Sequence, residues 1–233
     1  MDFQNRHVVV TGGTGALGTA VVGALIEAGA TCHVAYRSQA EAGRFPHRAS
    51  ANVKLIEAGD LTDENAIGRI FGAAPRLWAS IHLAGGFAYG ALTEASTDVM
   101  RQQIDTNLVT CLLCCRAAVQ AMAQTGEGGR IVNVAARPAL EWRQGKNMVA
   151  YTAAKAAVAA ATAALAEEVA GQGILVNAVA PSIMDTPANR ASMPKADYAA
   201  WPKVEEVAAT ILFLASPDNR VTRGAVVPVY GRS

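Results

Sequence analysis

The sequence predicts one α/β domain over residues 1–233, a doubly wound parallel sheet of about seven strands with helices on both faces. Three observations point there. Short β-branched runs alternate with longer segments of helical period along the whole chain. The strand-like runs are continuously apolar rather than alternating, the pattern of strands covered on both faces. No repeat, low-complexity tract or linker divides the 233 residues, and one sheet of that size uses them all.

The first strand is His7–Val10, a β-branched run that ends in a glycine-rich turn, and the first helix is Ala16–Ala28. Thr31–Tyr36 and Val53–Glu57 are the next two strands, and Glu64–Gly72 is the helix after them. Ser80–Leu83 is a fourth strand ahead of the longest helical segment, Thr97–Thr125. Arg130–Val134 leads, past an irregular stretch, into the Ala-rich helix Ala150–Ala170. Ile174–Val179, the helix Val204–Ala215 and the strand Ala225–Val229 complete the series. Two irregular segments, Ala135–Val149 and Pro181–Pro202, each follow a strand. They therefore lie at the carboxyl edge of the sheet, where open α/β sheets bind ligands. Residues 181–202 are expected to cover a substrate.

Composition excludes several classes. With 52% hydrophobic residues the chain is no disordered segment, and 20 Lys+Arg against 19 Asp+Glu leave no basic footprint for nucleic acid. No unbroken run of about 18 apolar residues occurs. The Ala-rich stretch 156–166 is interrupted by Thr162 and followed by Glu167 and Glu168. The start, Met1-Asp2-Phe3-Gln4-Asn5-Arg6, has no basic-then-apolar leader. A soluble, cytoplasmic protein with a small-molecule substrate is expected, without a membrane or nucleic-acid partner. Cys111, Cys114 and Cys115 crowd into one apolar helical stretch, away from Cys32. The Cys111-x-x-Cys114 spacing admits a redox or metal pair, but no second such pair or His pair follows it. Buried small hydrophobes are the preferred reading. His7, His33, His47 and His82 show no metal-ligand spacing, and no metal is expected.

Val8–Val10 run into Thr11-Gly12-Gly13-Thr14-Gly15-Ala16-Leu17-Gly18. Gly12 suits a tight turn, Gly15 lets backbone approach a pyrophosphate, and Gly18 lets the helix pack on the strand. The helix N-terminus then offers free N–H groups to phosphate, so a dinucleotide is the expected cofactor. The second strand ends Tyr36-Arg37-Ser38, with no carboxylate to accept from a ribose 2′-hydroxyl. Arg37 and Ser38 suit a 2′-phosphate, which favours NADPH over NADH, although a solvated surface arginine is the other reading of Arg37. Asp60 and Leu61, after the third strand, form a polar cap where an adenine edge would lie.

Tyr151-Thr152-Ala153-Ala154-Lys155 opens the Ala-rich helix and places phenol and ammonium one turn apart on one face. The positive charge is expected to lower the Tyr151 pKa towards neutrality and make it a usable proton donor or acceptor.

These features, with Asp60, Ala84-Gly85, Asn107 and Pro181, resemble the short-chain dehydrogenase/reductase family over essentially the whole chain. The resemblance implies a Rossmann-type fold. It implies Tyr151 as acid, Lys155 as the residue that orients the ribose and lowers the Tyr pKa, and Asn107 as holder of a relay water. It further implies Gly86, Pro181, Ile183 and Thr186 beside the nicotinamide, Thr186 also reading as a helix cap ahead of Pro187. Phe87, Ala136, Trp142 and Met184 are the candidate substrate contacts, Phe87, Tyr89 and Trp142 as rings that either stack on a flat substrate or bury themselves. Arg137, Glu141 and Arg143 are anion-recognising or solvated charges. The family's equivalent long helices pair between subunits, which implies a homodimer or homotetramer through 97–125 and 150–170.

The chain departs from the family pattern at one place that matters. The family carries a Ser at the end of the fifth strand, whereas here Ala136 stands there and no Ser or Thr occurs between Asn133 and Tyr151. That absence, with Gly13–Gly18, Ala84–Gly90 and Asp185–Asp197 followed by Trp201, resembles the quinonoid dihydropteridine reductase branch. Ketone reduction concentrates charge on one oxygen, whereas a conjugated imine spreads it over a ring and needs one proton. The expected function is therefore NAD(P)H-dependent reduction of a small conjugated substrate, a C=N acceptor ahead of a C=O one. Arg37, where that branch's animal enzymes carry Asp, and the loop Arg137–Met148 stand apart from it. A carbonyl or 3-ketoacyl-type reductase that lacks the Ser, and a non-catalytic NADP-binding scaffold or redox sensor, are the alternatives.

Overall fold

The computed structural model describes residues 1–233. Seven parallel strands form one sheet in the order β3-β2-β1-β4-β5-β6-β7. They are β1 His7–Thr11, β2 Thr31–Tyr36, β3 Val53–Glu57, β4 Leu77–His82, β5 Gly129–Val134, β6 Ile174–Pro181 and β7 Val226–Val229. The helices are α1 Ala16–Glu27, α2 Gln39–Arg44, α3 Glu64–Gly72, α4 Thr97–Ile104, α5 Thr110–Thr125, α6 Arg137–Leu140, α7 Val149–Glu168, α8 Pro187–Ser192 and α9 Val204–Ala215. Strand order reverses between β1 and β4, and the carboxyl ends of those strands open the crevice that such a switch point creates.

The apolar strands follow from two covered faces. Val8 and Val10 join a core with Leu17, Val21 and Leu25 of α1 and Val207 and Ile211 of α9. Val9, between them, joins the opposite core with Ile70 of α3, Cys115 and Ala118 of α5 and Val158 of α7. The three successive valines of β1 thus meet helices on alternate faces of the sheet, with no polar residue between them.

Three helices were not expected from the sequence: α2, α6 and α8. They have four to six residues, too few for an apolar period to show. The predicted helix Thr97–Thr125 is continuous, with a π turn over Asp105–Val109 inside it. Asn107 sits in that turn, and its Nδ2 donates to the Gln103 and Gly86 carbonyls, both at 2.9 Å. Inserting one residue into the helical ladder is what turns this amide inwards. Thr97–Thr125 and Val149–Glu168 are, by length and mean hydropathy, apolar enough to cross a membrane, even though no unbroken apolar run exists. Here α5 and α7 lie along the sheet, and their inward faces build its second core.

Candidate active site

The glycine turn is built by close approach. Gly12 has φ +67°, and a Cβ there would stand 2.6 Å from the Ala84 backbone nitrogen. A Cβ on Gly18 would collide with the Gly12 carbonyl, so no larger residue lets α1 start where it does. Gly15 precedes α1 without any side-chain cap, which leaves the N–H groups of the first turn facing the crevice.

Two adjoining hollows share this turn. The larger, about 1070 Å³, runs over Gly12, Thr14, Gly15, Arg37, Asp60, Leu61, Ala84 and Gly85. The smaller, about 350 Å³, is lined by Ala16, Leu17, Gly18, Gly86, Phe87, Asn107, Ala136, Tyr151, Lys155, Pro181, Met184 and Thr186, among others. A helix N-terminus, a glycine cradle and an elongated cleft along the strand ends fit a dinucleotide diphosphate and its adenosine arm.

Tyr151 stands on the first turn of α7, and its ring meets Phe87 edge to face, centroids 5.1 Å apart at 86°. Lys155 Nζ lies 5.9 Å from the Tyr151 ring centre and donates to the Val134 carbonyl at 2.8 Å. Asn107 Oδ1 accepts from the Gly86 N–H at 3.2 Å, which ties the π turn to the strand end. The expected lowering of the Tyr151 pKa does not occur: burial pushes it up to about 12. The ammonium is turned towards a backbone carbonyl rather than the phenol, so desolvation dominates. Burial also lowers Lys155 to about 8. Tyr151 is therefore a phenol at neutral pH, equipped to give a proton rather than take one.

Ala135 and Ala136 form the pocket wall after β5, and no hydroxyl follows them before Tyr151. Thr186 caps α8 by accepting from the Asn189 N–H at 3.2 Å, as its helix-cap reading expects, and it also lines the pocket. Trp142 is not brought to this pocket. It is 74% exposed, bonds the Ala139 carbonyl, and lines a separate groove with Val149 and Ala153. The 3-10 turn after α6 directs it outwards. Ile183 is also exposed and outside the lining, and Ser38 caps α2 rather than lining the cleft.

Sequence reasoning missed Glu41, Ser182 and Asn189. Glu41 lines the larger hollow, and its signal was available: it follows Ser38 by three residues, the spacing of a capping box. Ser182 and Asn189 line the smaller one, with the Ser182 hydroxyl donating to the Tyr230 carbonyl at 2.9 Å.

Behind the pocket the structure brings His82, Cys111 and Cys115 together, their ligand-type atoms within 4.8 Å of one another. Cys111 and Cys115, at i and i+4, face β4, and all four cysteines are buried and free, as their reading as small hydrophobes expects. His82 is already engaged at both nitrogens, by the Ser80 hydroxyl at 2.7 Å and Asn133 Oδ1 at 2.8 Å. Asn133 Nδ2 in turn donates to Thr162 at 2.9 Å. This is a closed polar network within the core.

A proton-bearing phenol and a helix N-terminus sharing one pocket at a sheet's switch point are the working parts of an α/β oxidoreductase. Residues 6–197 match the family model described as short chain dehydrogenase. The chain is 34% identical over 244 residues to galactitol 2-dehydrogenase of Rhizobium johnstonii, covering 97% of this chain and 94% of that protein. It is 28% identical over 252 residues to 2,3-dihydroxy-2,3-dihydro-p-cumate dehydrogenase of Pseudomonas putida, covering 100% and 96%. Among solved structures, ElxO with NADP bound superposes with a TM-score of 0.87 at 26% identity, covering 97% of each chain. The chain belongs to the short-chain dehydrogenase family and is an oxidoreductase. The narrower resemblance to the pterin branch finds no support in these relatives.

Proposed function

We propose that this oxidoreductase uses a nicotinamide dinucleotide, NADPH ahead of NADH, to reduce a small conjugated acceptor such as a quinonoid dihydropterin. The observation that carries this is the pairing of Ala136 on the pocket wall with a Tyr151 phenol held protonated near a buried Lys155. A pocket with one proton donor and no second hydroxyl suits an acceptor that spreads incoming charge over a ring.

Gly12, Gly15 and the first turn of α1 would hold the diphosphate, Arg37 the 2′-phosphate, and Asp60 and Leu61 the adenine side. Lys155 would reach the nicotinamide ribose, and Thr186 and Pro181 the carboxamide. The bound cofactor supplies the hydride. Tyr151 gives the proton from its hydroxyl, Lys155 stabilises the phenolate that remains, and Asn107 fixes the Gly86 strand end and a relay position beside it. Phe87 and Met184 enclose the substrate against the alanine wall. That ElxO carries NADP supports the cofactor reading. Two copies pairing through α4–α5 and α7 would cover exposed Leu112 and Val149.

A second reading is favoured by the relatives, whose names are those of galactitol and dihydrodiol dehydrogenases: oxidation of an alcohol, or reduction of its ketone. NADPH oxidation with a quinonoid pterin, a diketone and a β-keto ester, and NADP reduction with a polyol, separate the two. Turnover of the pterin alone supports the first reading. Turnover of the ketones or polyol supports the second. A Tyr151→Phe variant as active as wild type overturns the role of Tyr151 in both, and cofactor binding without any turnover supports a scaffold.

A further inference from the structure

Glu41 and Arg37 share the ribose end of the larger cleft and carry opposite charges. The carboxylate is held in place. One oxygen accepts from the Arg37 backbone N–H at 2.9 Å and from the Thr14 hydroxyl at 3.5 Å, and the other lies 3.8 Å from Arg37 Nε. The Glu41 side chain is 28% exposed and that of Arg37 80% exposed, so the anion is the fixed partner and the cation the mobile one. Helix α2 sets this position, for Glu41 is its third residue and its own N–H donates to the Ser38 hydroxyl at 3.4 Å. Thr14 belongs to the glycine turn, so the carboxylate bridges that turn and the end of β2. A carboxylate there is an acceptor for a sugar hydroxyl and repels a phosphate.

We propose that Glu41 is a specificity-determining residue for the dinucleotide, accepting from an unphosphorylated ribose 2′-hydroxyl and opposing the 2′-phosphate that Arg37 attracts. This deepens the cofactor reading above and rests on it. A 2′-phosphate carries nearly two negative charges and draws Arg37 away from Glu41, leaving the carboxylate with only its two neutral donors. A 2′-hydroxyl leaves the Arg37–Glu41 pair in place. The cleft therefore accepts both dinucleotides, and Glu41 moderates the NADPH preference proposed for Arg37.

Glu41 also braces the start of α2, so the test must separate charge from support. Glu41→Gln keeps an oxygen for the Arg37 N–H and removes only the charge. The dissociation constants of NADPH and NADH are measured on the whole protein without substrate, by nicotinamide fluorescence, for wild type, Glu41→Gln and Arg37→Gln. Glu41→Gln is expected to tighten NADPH about fivefold, the scale of one partly screened charge. It is expected to weaken NADH about tenfold, the scale of a hydrogen bond to a charged acceptor. Arg37→Gln is expected to move the ratio the other way. If Glu41→Gln leaves the NADPH to NADH ratio unchanged, whether both constants move together or neither moves, Glu41 is a helix brace only and the proposal falls. If Arg37→Gln shifts the ratio in that case, the cofactor reading still stands. Wild type that binds neither dinucleotide overturns the cofactor reading, and this proposal with it.

Discussion

Lys155 and Tyr151 share a helix face, but the Lys155 ammonium donates to the Val134 carbonyl and stands 5.9 Å from the centre of the Tyr151 ring. Burial holds the phenol at about 12 and brings the ammonium down to about 8. The signs for reduction follow. Tyr151 keeps its proton across the whole accessible range, while Lys155 is charged below about 8 and neutral above it. Loss of that charge removes the stabilisation of the phenolate formed when the proton leaves. Reductive kcat/KM is therefore expected to be flat from neutral pH downwards and to fall as pH rises through about 8. Lys155→Arg, which stays charged, should carry the plateau to higher pH. Lys155→Met should lower the rate on the order of 10²-fold below a pH of about 8, with the gap to wild type narrowing as pH rises through that value. A profile that rises through pH 8 in wild type would contradict this assignment.

The Phe87 ring edge is the one aromatic surface that touches Tyr151, at 5.1 Å between centroids, and 60% of Phe87 remains exposed at the pocket mouth. An aromatic face open to the pocket is available to a flat substrate. Phe87→Ala is expected to raise KM about tenfold, with kcat falling less, because aromatic contact of about 1 kcal/mol and its buried area are lost together. Phe87→Leu should recover the apolar area but not the ring. If Phe87→Ala lowers kcat and leaves KM alone, Phe87 orients Tyr151 and does not hold substrate.

How far the sequence revealed this site depended on whether a residue acts through its neighbours in the chain. The glycine turn and the Tyr151–Lys155 pair were legible because each is a local constellation on one turn. Continuous apolar strands likewise disclosed a sheet covered twice, as Val8, Val9 and Val10 show. Trp142 was misplaced because a single turn, too short to have a period, decides which way its ring points. The Tyr151 pKa was misread for another reason. Sequence spacing reports the nearby charge, whereas the burial that outweighs it is set by the tertiary fold, in which Phe87, distant in sequence, packs against the ring. The burial of the cysteines was legible from their apolar surroundings, but the nearness of His82 to Cys115, 3.7 Å away, was not, since only the sheet presents one to the other.

His33 offers a stability test remote from the pocket. Its Nε2 is 2.9 Å from His7 Nδ1, its Nδ1 is buried without a partner, and it pairs in register with Lys54. Burial, then the charges of His7 and Lys54, hold it near 4. The folded protein therefore keeps His33 neutral while the unfolded chain protonates it at its ordinary value near 6.5. Stability is retained above that value and lost as pH falls from it towards 4. Wild-type Tm is expected to drop over that interval by about 3 °C or more beyond the drop of His33→Gln. Parallel curves for the two proteins would show that His33 does not titrate between them.

Ala136 gives the most direct check on the substrate reading, because restoring the family hydroxyl adds one oxygen to a wall that already faces the pocket. Ala136 is 6% exposed and lies just after β5, where a Ser side chain extends by a single atom into open volume rather than into packed core. If the missing donor is what confines this protein to acceptors with delocalised charge, Ala136→Ser should raise ketone turnover. One hydrogen bond to a developing oxyanion is worth on the order of 10²-fold, so a gain of at least about tenfold is expected for a diketone. The conjugated acceptor, whose charge never concentrates on one oxygen, should change less than about threefold. Tyr151→Phe in the same background should abolish both activities, which separates the added donor from a new proton source. A wild-type protein that already reduces the diketone well, and gains nothing from the serine, would mean that Ala136 does not limit the reaction. The alcohol–ketone reading that the relatives favour would then replace the conjugated one.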